Sequence, residues 1–578
     1  MKNLPRSIGF LVCGIALSTG ACGKTTKLLP IKAAAEARQV ALGSAVIPNL
    51  DRTFDRVDTS AKALSLPFDK TAQRKSFLDS LKAPEALVNA VRTDGPLAIV
   101  AFPPKLPGKE PEMVVAAQGK SPEAIQSAIK GMGQPVATKD DAKSYKLGAE
   151  TVWLLSRGSM LVGAQSLESL ALGAALAMAT TSPSEDDLMV RVSPEAIAKS
   201  QGTDLKTALS GMLDTWKESL KSMPGQSPLT AQVLAGIFKP LADRLAEVEE
   251  AGLSLRLDAQ KGVALRLELS PRKDSKLAGM LGKSAPYKLD TRVVPQGDPM
   301  ALMAFSQITM IASLWAELRP LVTEGKNGEE AAKQIDVLLD VFSSGGSGAM
   351  AIADKQMRMT GVYGLRKESD GEAALSAMAG LMNGAWYRSM LAASEMKGKV
   401  AVKRDKDVLL ISTTQVAPKN MPSAMAQAMK GMGLMSQSMA MLAKPANLFL
   451  ATGKDAAAQV RQLALAEPGK PTGLDAAAVA ESAGADGFIY MDFGQLVKLA
   501  AGAMGAGENP MFSSLRLPLW VSYRGGKSPT LDVRVPMELA RGVAAFAPML
   551  MGMGMGGALA NRSVSPGSGS SLRVSRWS

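Results

Sequence analysis

The chain predicts an α+β fold of two related lobes, each an antiparallel sheet with helices packed against it. Three observations carry this expectation. Short apolar runs bounded by Gly, Pro, Asp and Ser alternate with capped helical stretches. Two long hairpin-like segments, 251–271 and 517–536, alternate apolar and polar residues as half-exposed antiparallel strands do. The order of elements over residues 90–283 returns over residues 345–547, the pattern an internal duplication leaves.

In the first half, Gly95-Pro96 turns the chain into the strand LAIVAF (97–102), and EMVVAAQG (112–119) follows. Ser121-Pro122-Glu123 opens a helix, because serine caps, proline suits the first helical position and glutamate favours the positive helix end. TVWLLS (151–156) and SMLVGA (159–164) flank an Arg157-Gly158 turn, and Ser166 caps the helix LESLALGAALAM. DLMVRVS (187–193) is a strand, with helices expected over 204–221 and 229–249. The closing hairpin AGLSLRLDAQ…VALRLELSP turns at Lys261-Gly262, and Asp274 opens a short helix.

The second half starts near YKLDTRVVP (287–295), with helices expected over 299–320 and 328–343. GAMAIAD (348–354) and MRMTGVYGL (357–365) are strands, a helix runs from Asp370 to about Met390, and 399–414 is a hairpin. ANLFLATGKDAAAQVRQLAL (446–465) parallels SMLVGAQSLESLALGAAL, and 486–504 parallels 187–202. LPLWVSYRGGKSPTLDVRVP (517–536) parallels the first closing hairpin. The domains expected are therefore a signal peptide (1–21), a linker and N-terminal segment (22–90), a first lobe (91–284), a second lobe (285–547) and a Met/Gly- then Ser/Gly/Arg-rich disordered tail (548–578).

The N-terminus supplies an address. Lys2 and Arg6 precede an apolar run from Ile8 to Leu17, too short for a bilayer core of roughly 30 Å. Gly20, Ala21 and Cys22 then match the lipobox, so the segment resembles a bacterial lipoprotein signal. The resemblance implies lipidation at Cys22 and, with Gly23 rather than Asp after it, an outer-membrane lipoprotein facing the periplasm. Thr19 departs from the usual Leu, Val or Ile, which leaves a cleaved signal and a secreted or soluble periplasmic protein as the alternative. The order of units in the body resembles an uncharacterised family of exported bacterial proteins built from repeated α+β units, which implies a fold but no activity.

Composition excludes more than it assigns. There is no histidine, which removes His metal sites and the usual Ser-His and Cys-His nucleophile systems. No cysteine follows Cys22, so the body has neither disulfides nor thiolate sites. The net charge of +13 is spread along the chain without a basic block, so no nucleic-acid partner is expected. Gly23-Lys24-Thr25 lacks the first glycine of a phosphate-binding loop. Ser270/Lys273 and Ser394/Lys397 have the Ser-x-x-Lys spacing without its companion Lys-Thr-Gly. The pairs Asp140-Asp141 and Asp186-Asp187 read as turn residues.

Methionine is the unusual signal, at 34 residues. Met421, Met425, Met429, Met432, Met435 and Met439 recur every three or four positions, which predicts one stripe along a helix. Met549, Met551, Met553 and Met555 form a second cluster. Thioethers fill cores, line adaptable apolar grooves or hold Cu(I). Met425, Met429, Met432, Met435 and Met439 are the groove candidates, while the missing His and Cys speak against copper. The expected role is non-catalytic: a membrane-anchored binding or scaffolding module for an apolar ligand or envelope protein, with no metal and no cofactor. An envelope hydrolase using Ser/Lys or carboxylate chemistry, and a purely structural envelope component, are the alternatives.

Overall fold

The computed structural model describes residues 28–542 except 81–82, 106–109, 148–149, 182–183, 222–239, 241, 283–284, 295–298, 307–308, 326, 354–355, 394–397, 417–425, 427–429, 431–434, 469–482, 496, 499–514 and 540. Its first half contains β1 (Gly43–Ile47), β2 (Leu97–Phe102), β3 (Glu112–Gln118), β4 (Ala137–Lys139), β5 (Ala142–Leu147), β6 (Glu150–Arg157), β7 (Met160–Ala164), β8 (Leu188–Val192), β9 (Val248–Asp258) and β10 (Gly262–Pro271). The second contains β11 (Ala301–Phe305), β12 (Phe342–Ala353), β13 (Gln356–Leu365), β14 (Gly398–Asp405), β15 (Val408–Gln415), β16 (Ser436–Lys444), β17 (Asn447–Thr452), β18 (Gly487–Asp492), β19 (Pro518–Arg524) and β20 (Thr530–Val535).

The helices are α1 (Ala34–Val40), α2 (Leu50–Ala63), α3 (Lys70–Ser80), α4 (Glu85–Ala90), α5 (Pro122–Gly131), α6 (Leu167–Ala179), α7 (Pro194–Ser200), α8 (Leu205–Lys221) and α9 (Lys276–Leu281) in the first half. The second half adds α10 (Thr309–Thr323), α11 (Gly328–Val341), α12 (Asp370–Asn383), α13 (Ala385–Ala393) and α14 (Ala456–Leu465).

All the described strands join one antiparallel sheet, in the order β4-β5-β6-β7-β3-β2-β1-β8-β9-β10-β20-β19-β18-β11-β12-β13-β17-β16-β15-β14. Adding ten to each strand number of the first half reproduces the second, and β10 meets β20 at the seam. The match reaches single residues. The hairpins β4–β5 and β14–β15 both turn in two residues, and both turns begin in the left-handed region, at Asp140 (φ 55°) and Lys406 (φ 57°). Following the paired registers outward, the buried Leu155, Val162 and Val100 correspond to Leu442, Phe449 and Ala349 on one face. Tyr145, Leu154 and Leu161 correspond to Ile411, Met441 and Leu448 on the other.

Helices cover both faces of each outer half. α6 and α1 close the first of these cores and α14 its counterpart, while α5 and α4 pack on the opposite face, matched by α12 and α11. The serine caps read from the sequence are in place: Ser121 and Ser166 accept from the backbone N–H of Ala124 and Ser169, and Ser193, expected in a strand, caps α7 by accepting from that of Ala196.

Several boundaries differ from expectation. The first half's sheet reaches back into the N-terminal segment to Gly43, because β1 lies between β2 and β8. The helix expected to reach 249 gives way to β9 at Val248. Residues 301–305 form β11 rather than a helix; ALMAF has high helix propensity, but pairing with β12 and β18 on both sides overrides it. The helix from Asp370 breaks at Gly384 into α12 and α13.

Candidate functional site

The central strands differ from the outer halves. Directly paired residues in a sheet share a face. Following the registers, Leu188, Leu255, Leu265, Val533, Val521, Ile489 and Met303 form one row across seven strands, β8 to β11. A second row beside it carries Val190, Leu253, Leu267, Leu531, Tyr523 and Gly487. No charged residue interrupts either row. Leu253 is 43% exposed, Ile489 50% and Met303 39%, and the remaining members are half-buried.

On β8, β9, β10 and β20 the opposite face is ionic, whereas on β11, β18 and β19 it carries the buried Leu302, Phe488, Tyr490 and Trp520. Arg191 bridges Glu250 (3.0 Å) and Glu268 (3.8 Å), and Arg266 Nε donates to Asp532 Oδ1 at 2.7 Å across the seam. The alternation in each closing hairpin was therefore legible, but only the end of the first hairpin's apolar side packs on its own lobe. The rest joins the equivalent side of the other hairpin in a continuous aliphatic surface. Partial covers stand at its margin: α2 and α7 touch β9, and α9 packs Leu277 and Leu281 near Ala251, Leu269 and Tyr523. Contiguous apolar area left in water marks a binding or interaction surface, since covering it gains roughly 25 cal/mol per Å².

The methionine stripe is not one helix. Met425, Met429 and Met432 lie outside the described residues, as do Cys22 and the second methionine cluster. Met435 sits half-buried in a turn, and Met439 lies in β16, opposite Ile411. β16 is buried on both faces: Ala440 and Leu442 enter one core, and Met441 and Met439 the other. Met439 is thus a core-packing residue and not part of an open groove.

Sites for acid/base or nucleophilic chemistry fare poorly. A depression of about 480 Å³ is lined by Asp51, Asp55, Asp94, Asp258, Arg52 and Arg56. Its charges are already matched: Asp51 with Arg74 (2.9 Å), Asp55 with Lys70, and Asp94 with Arg92 (2.8 Å). The hydrogen bond from Arg92 holds the Asp94 carboxyl below its usual range, and the backbone N–H of Lys261 does the same for Asp258, so both favour the ionised form. Arg52 and Arg56 turn away to the carbonyls of Ser184, Glu185 and Asp186 and to the buried Asp187.

Of the Ser-x-x-Lys pairs, Ser270 lies in β10, and Ser394 and Lys397 fall outside the described residues. A different cluster joins Ser166 and Ser169 to Glu112, with Lys105 3.6 Å from that carboxylate. Lys105 is exposed and its pKa is raised, chiefly by its hydrogen bond to Glu168. A lysine serving as base needs the opposite shift. Among the described residues no group of His, Cys, Asp and Glu side chains could hold a metal ion, and no helix is long and apolar enough to cross a membrane.

No family model and no curated protein matches the chain. It is similar to the solved structure of crystal form IV of TP0453 at 10% identity, covering 41% of this chain and 79% of that one, with a TM-score of 0.20. A likeness at this level carries no argument about role.

Proposed function

We propose that this chain is a non-catalytic, lipid-anchored protein of the bacterial cell envelope that holds long aliphatic ligands against the bare face of its central strands. The aliphatic row from Leu188 to Met303 carries the reading. Its chemistry suits an acyl chain: the two rows span several strands, hold a single ring (Tyr523) and no charge, so they offer dispersion and dehydration without polar selection. The lipobox-like segment ending at Cys22 supports an anchor at the outer membrane, facing the periplasm, where such ligands abound. We infer further that the two halves arose by internal duplication, because strand order, turn length and core positions repeat together. Duplication then doubled an aliphatic hairpin into one broad face.

The reading is tested by titrating the protein with a fluorescent long-chain fatty acid. Saturable binding is expected, and Leu253→Glu with Ile489→Glu should weaken it by about tenfold or more, since each places a charge under the chain. Unchanged affinity in the double variant would remove the face from the function.

A further inference from the structure

The described sheet ends in two free edges, β4 and β14, and they are finished differently. Through the matched registers β14 corresponds to residues 132–139, yet only 137–139 are strand there. Pro135 stands at the place of Ala401 with no N–H to give to β5, and Gly133 takes a left-handed φ of 89°. The first edge is therefore short. β14 instead runs eight residues against β15 with no shift of register and no proline. Asp405 and Val408 close the two-residue turn and share its hydrogen bond, so the ladder to β15 uses the main chain of the odd-numbered residues. Gly398, Val400, Val402 and Arg404 turn their N–H and C=O groups outward, and among the described residues none bonds to them.

The side chains of β14 divide by face. Val400 and Val402 lean on the core beneath α12 and α13. Lys399, Ala401 and Lys403 are exposed on the other side. Among the described residues neither lysine has an ion pair, and the carboxylate on their side, Asp405, is held by Arg461 at 3.1 Å. From this arrangement we propose that β14 is a docking edge for an acidic, extended segment of a partner protein, which joins the sheet as one more strand. Directly opposed residues share a face. Carboxylates opposite Lys399 and Lys403 therefore stand four positions apart, and apolar residues opposite Val400 and Val402 extend the row of the core. The pattern recognised is acid, apolar, any residue, apolar, acid. Main-chain hydrogen bonds supply the affinity, and the lysines choose the partner.

The same lysines turn a second copy away. Antiparallel pairing of β14 with itself about Ala401 would set Lys399 opposite Lys403 twice over, like charges directly opposed. Edge lysines also deter indiscriminate pairing. The first half, however, blunts its edge by ending the strand early, on the same scaffold. An edge that stays long and regular beside unpaired cations keeps the capacity to pair and narrows it to acidic strands. β14 lies at the far end of the sheet from the seam, so this site stands or falls without the acyl-chain face.

The test uses the full chain and a fluorescein-labelled peptide, Thr-Glu-Val-Thr-Val-Glu-Thr. Saturable binding is expected by anisotropy, with the amides of residues 398–405 gaining protection from hydrogen exchange. Lys399→Glu with Lys403→Glu changes only exposed side chains. It should weaken binding by about tenfold or more and bring the peptide Thr-Lys-Val-Thr-Val-Lys-Thr to comparable affinity. N-methylation of the two peptide valines, whose N–H groups would face β14, should abolish binding with the charges left in place. Absence of saturable binding, protection elsewhere in the chain, a charge-reversed variant within about twofold of the parent, or a methylated peptide that binds as well would each overturn the proposal. Protection of 398–405 that grows with protein concentration in the absence of peptide would assign the edge to a second copy and overturn it too.

Discussion

Asp187 and Asp486 occupy one structural position twice. Each begins the strand after a core helix, donates its N–H to the neighbouring strand, and accepts with its side chain from the N–H two residues further along: Leu255 and Leu257 for Asp187, Tyr523 and Gly525 for Asp486. Asp187 is fully buried and also takes Arg56 at 3.1 Å. Removing it leaves a buried N–H without its acceptor and two arginines short of their counter-charge. Asp187→Ala is therefore expected to cost about 2–4 kcal/mol, read by chemical denaturation; a loss below about 0.5 kcal/mol would show that the carboxylate is dispensable. The sequence presented Asp186-Asp187 as turn solvation, because nothing local distinguishes an exposed aspartate from one that caps a strand 70 residues away. Tyr523 reports on the same corner of the second half. Burial first, and then the charge of Asp486, push its phenol up to about 12. A phenol whose pKa is raised by folding adds stability that is intact below its unfolded pKa of about 10 and is lost as pH rises through the folded value. Stability should therefore fall between about pH 10 and 12, and Tyr523→Phe should flatten that decline in pH-dependent melts; an unchanged slope would contradict it.

At the scale of elements, polar alternation, caps and even doubly buried strands bounded by turn residues, such as β7 and β17, were readable, and β16 was not. Ser121-Pro122-Glu123 announces a helix through chemistry its own residues perform, and it starts where expected. SQSMAMLAK becomes β16 only because β15 and β17 hold it, and with both faces apolar it has no period-two signal to oppose the three-to-four spacing of its methionines. Peroxide mapping separates the two kinds of methionine. Met303 and Met359 are expected to oxidise several-fold faster than Met441, which is 1% exposed; equal rates would mean that the central face is covered in solution. Turns carry a second consequence. Lys406 holds φ at 57° in an exposed two-residue hairpin, a region that costs a side-chain-bearing residue about 1 kcal/mol. Lys406→Gly relieves that strain but loosens the unfolded chain, so a net gain of about 0.5 kcal/mol is expected from denaturation curves. A loss would show that the lysine side chain contributes more than the strain costs.

Across the whole molecule, the repeated order of elements was legible, but the single sheet was not. The seam joins residues 266 positions apart, such as Arg266 and Asp532, and no periodicity reaches that far. The seam also explains why the halves pair with each other. Ser254 faces Arg266 as Ser522 faces Asp532, so these two residues are equivalents, and they meet each other across β10 and β20. A two-fold axis relating the strands runs between them. Two copies of the first half, joined by the same pairing, would set Arg266 against Arg266; two copies of the second would set Asp532 against Asp532. Opposite charges at the axis favour the mixed pair and penalise both like pairs, as like charges directly opposite in a sheet do. The ion pair is partly exposed, so its attraction is worth only about 0.2–1 kcal/mol, but the two repulsions add to the discrimination. With the chain divided after residue 283 and both parts co-expressed, the mixed complex should dominate in native mass spectrometry. Arg266→Asp should shift the balance by about fivefold or more away from it, and adding Asp532→Arg should restore it. If the reversed pair behaves like the single change, or if the unaltered parts prefer their own kind, the charges do not govern the seam and the aliphatic row beneath it does.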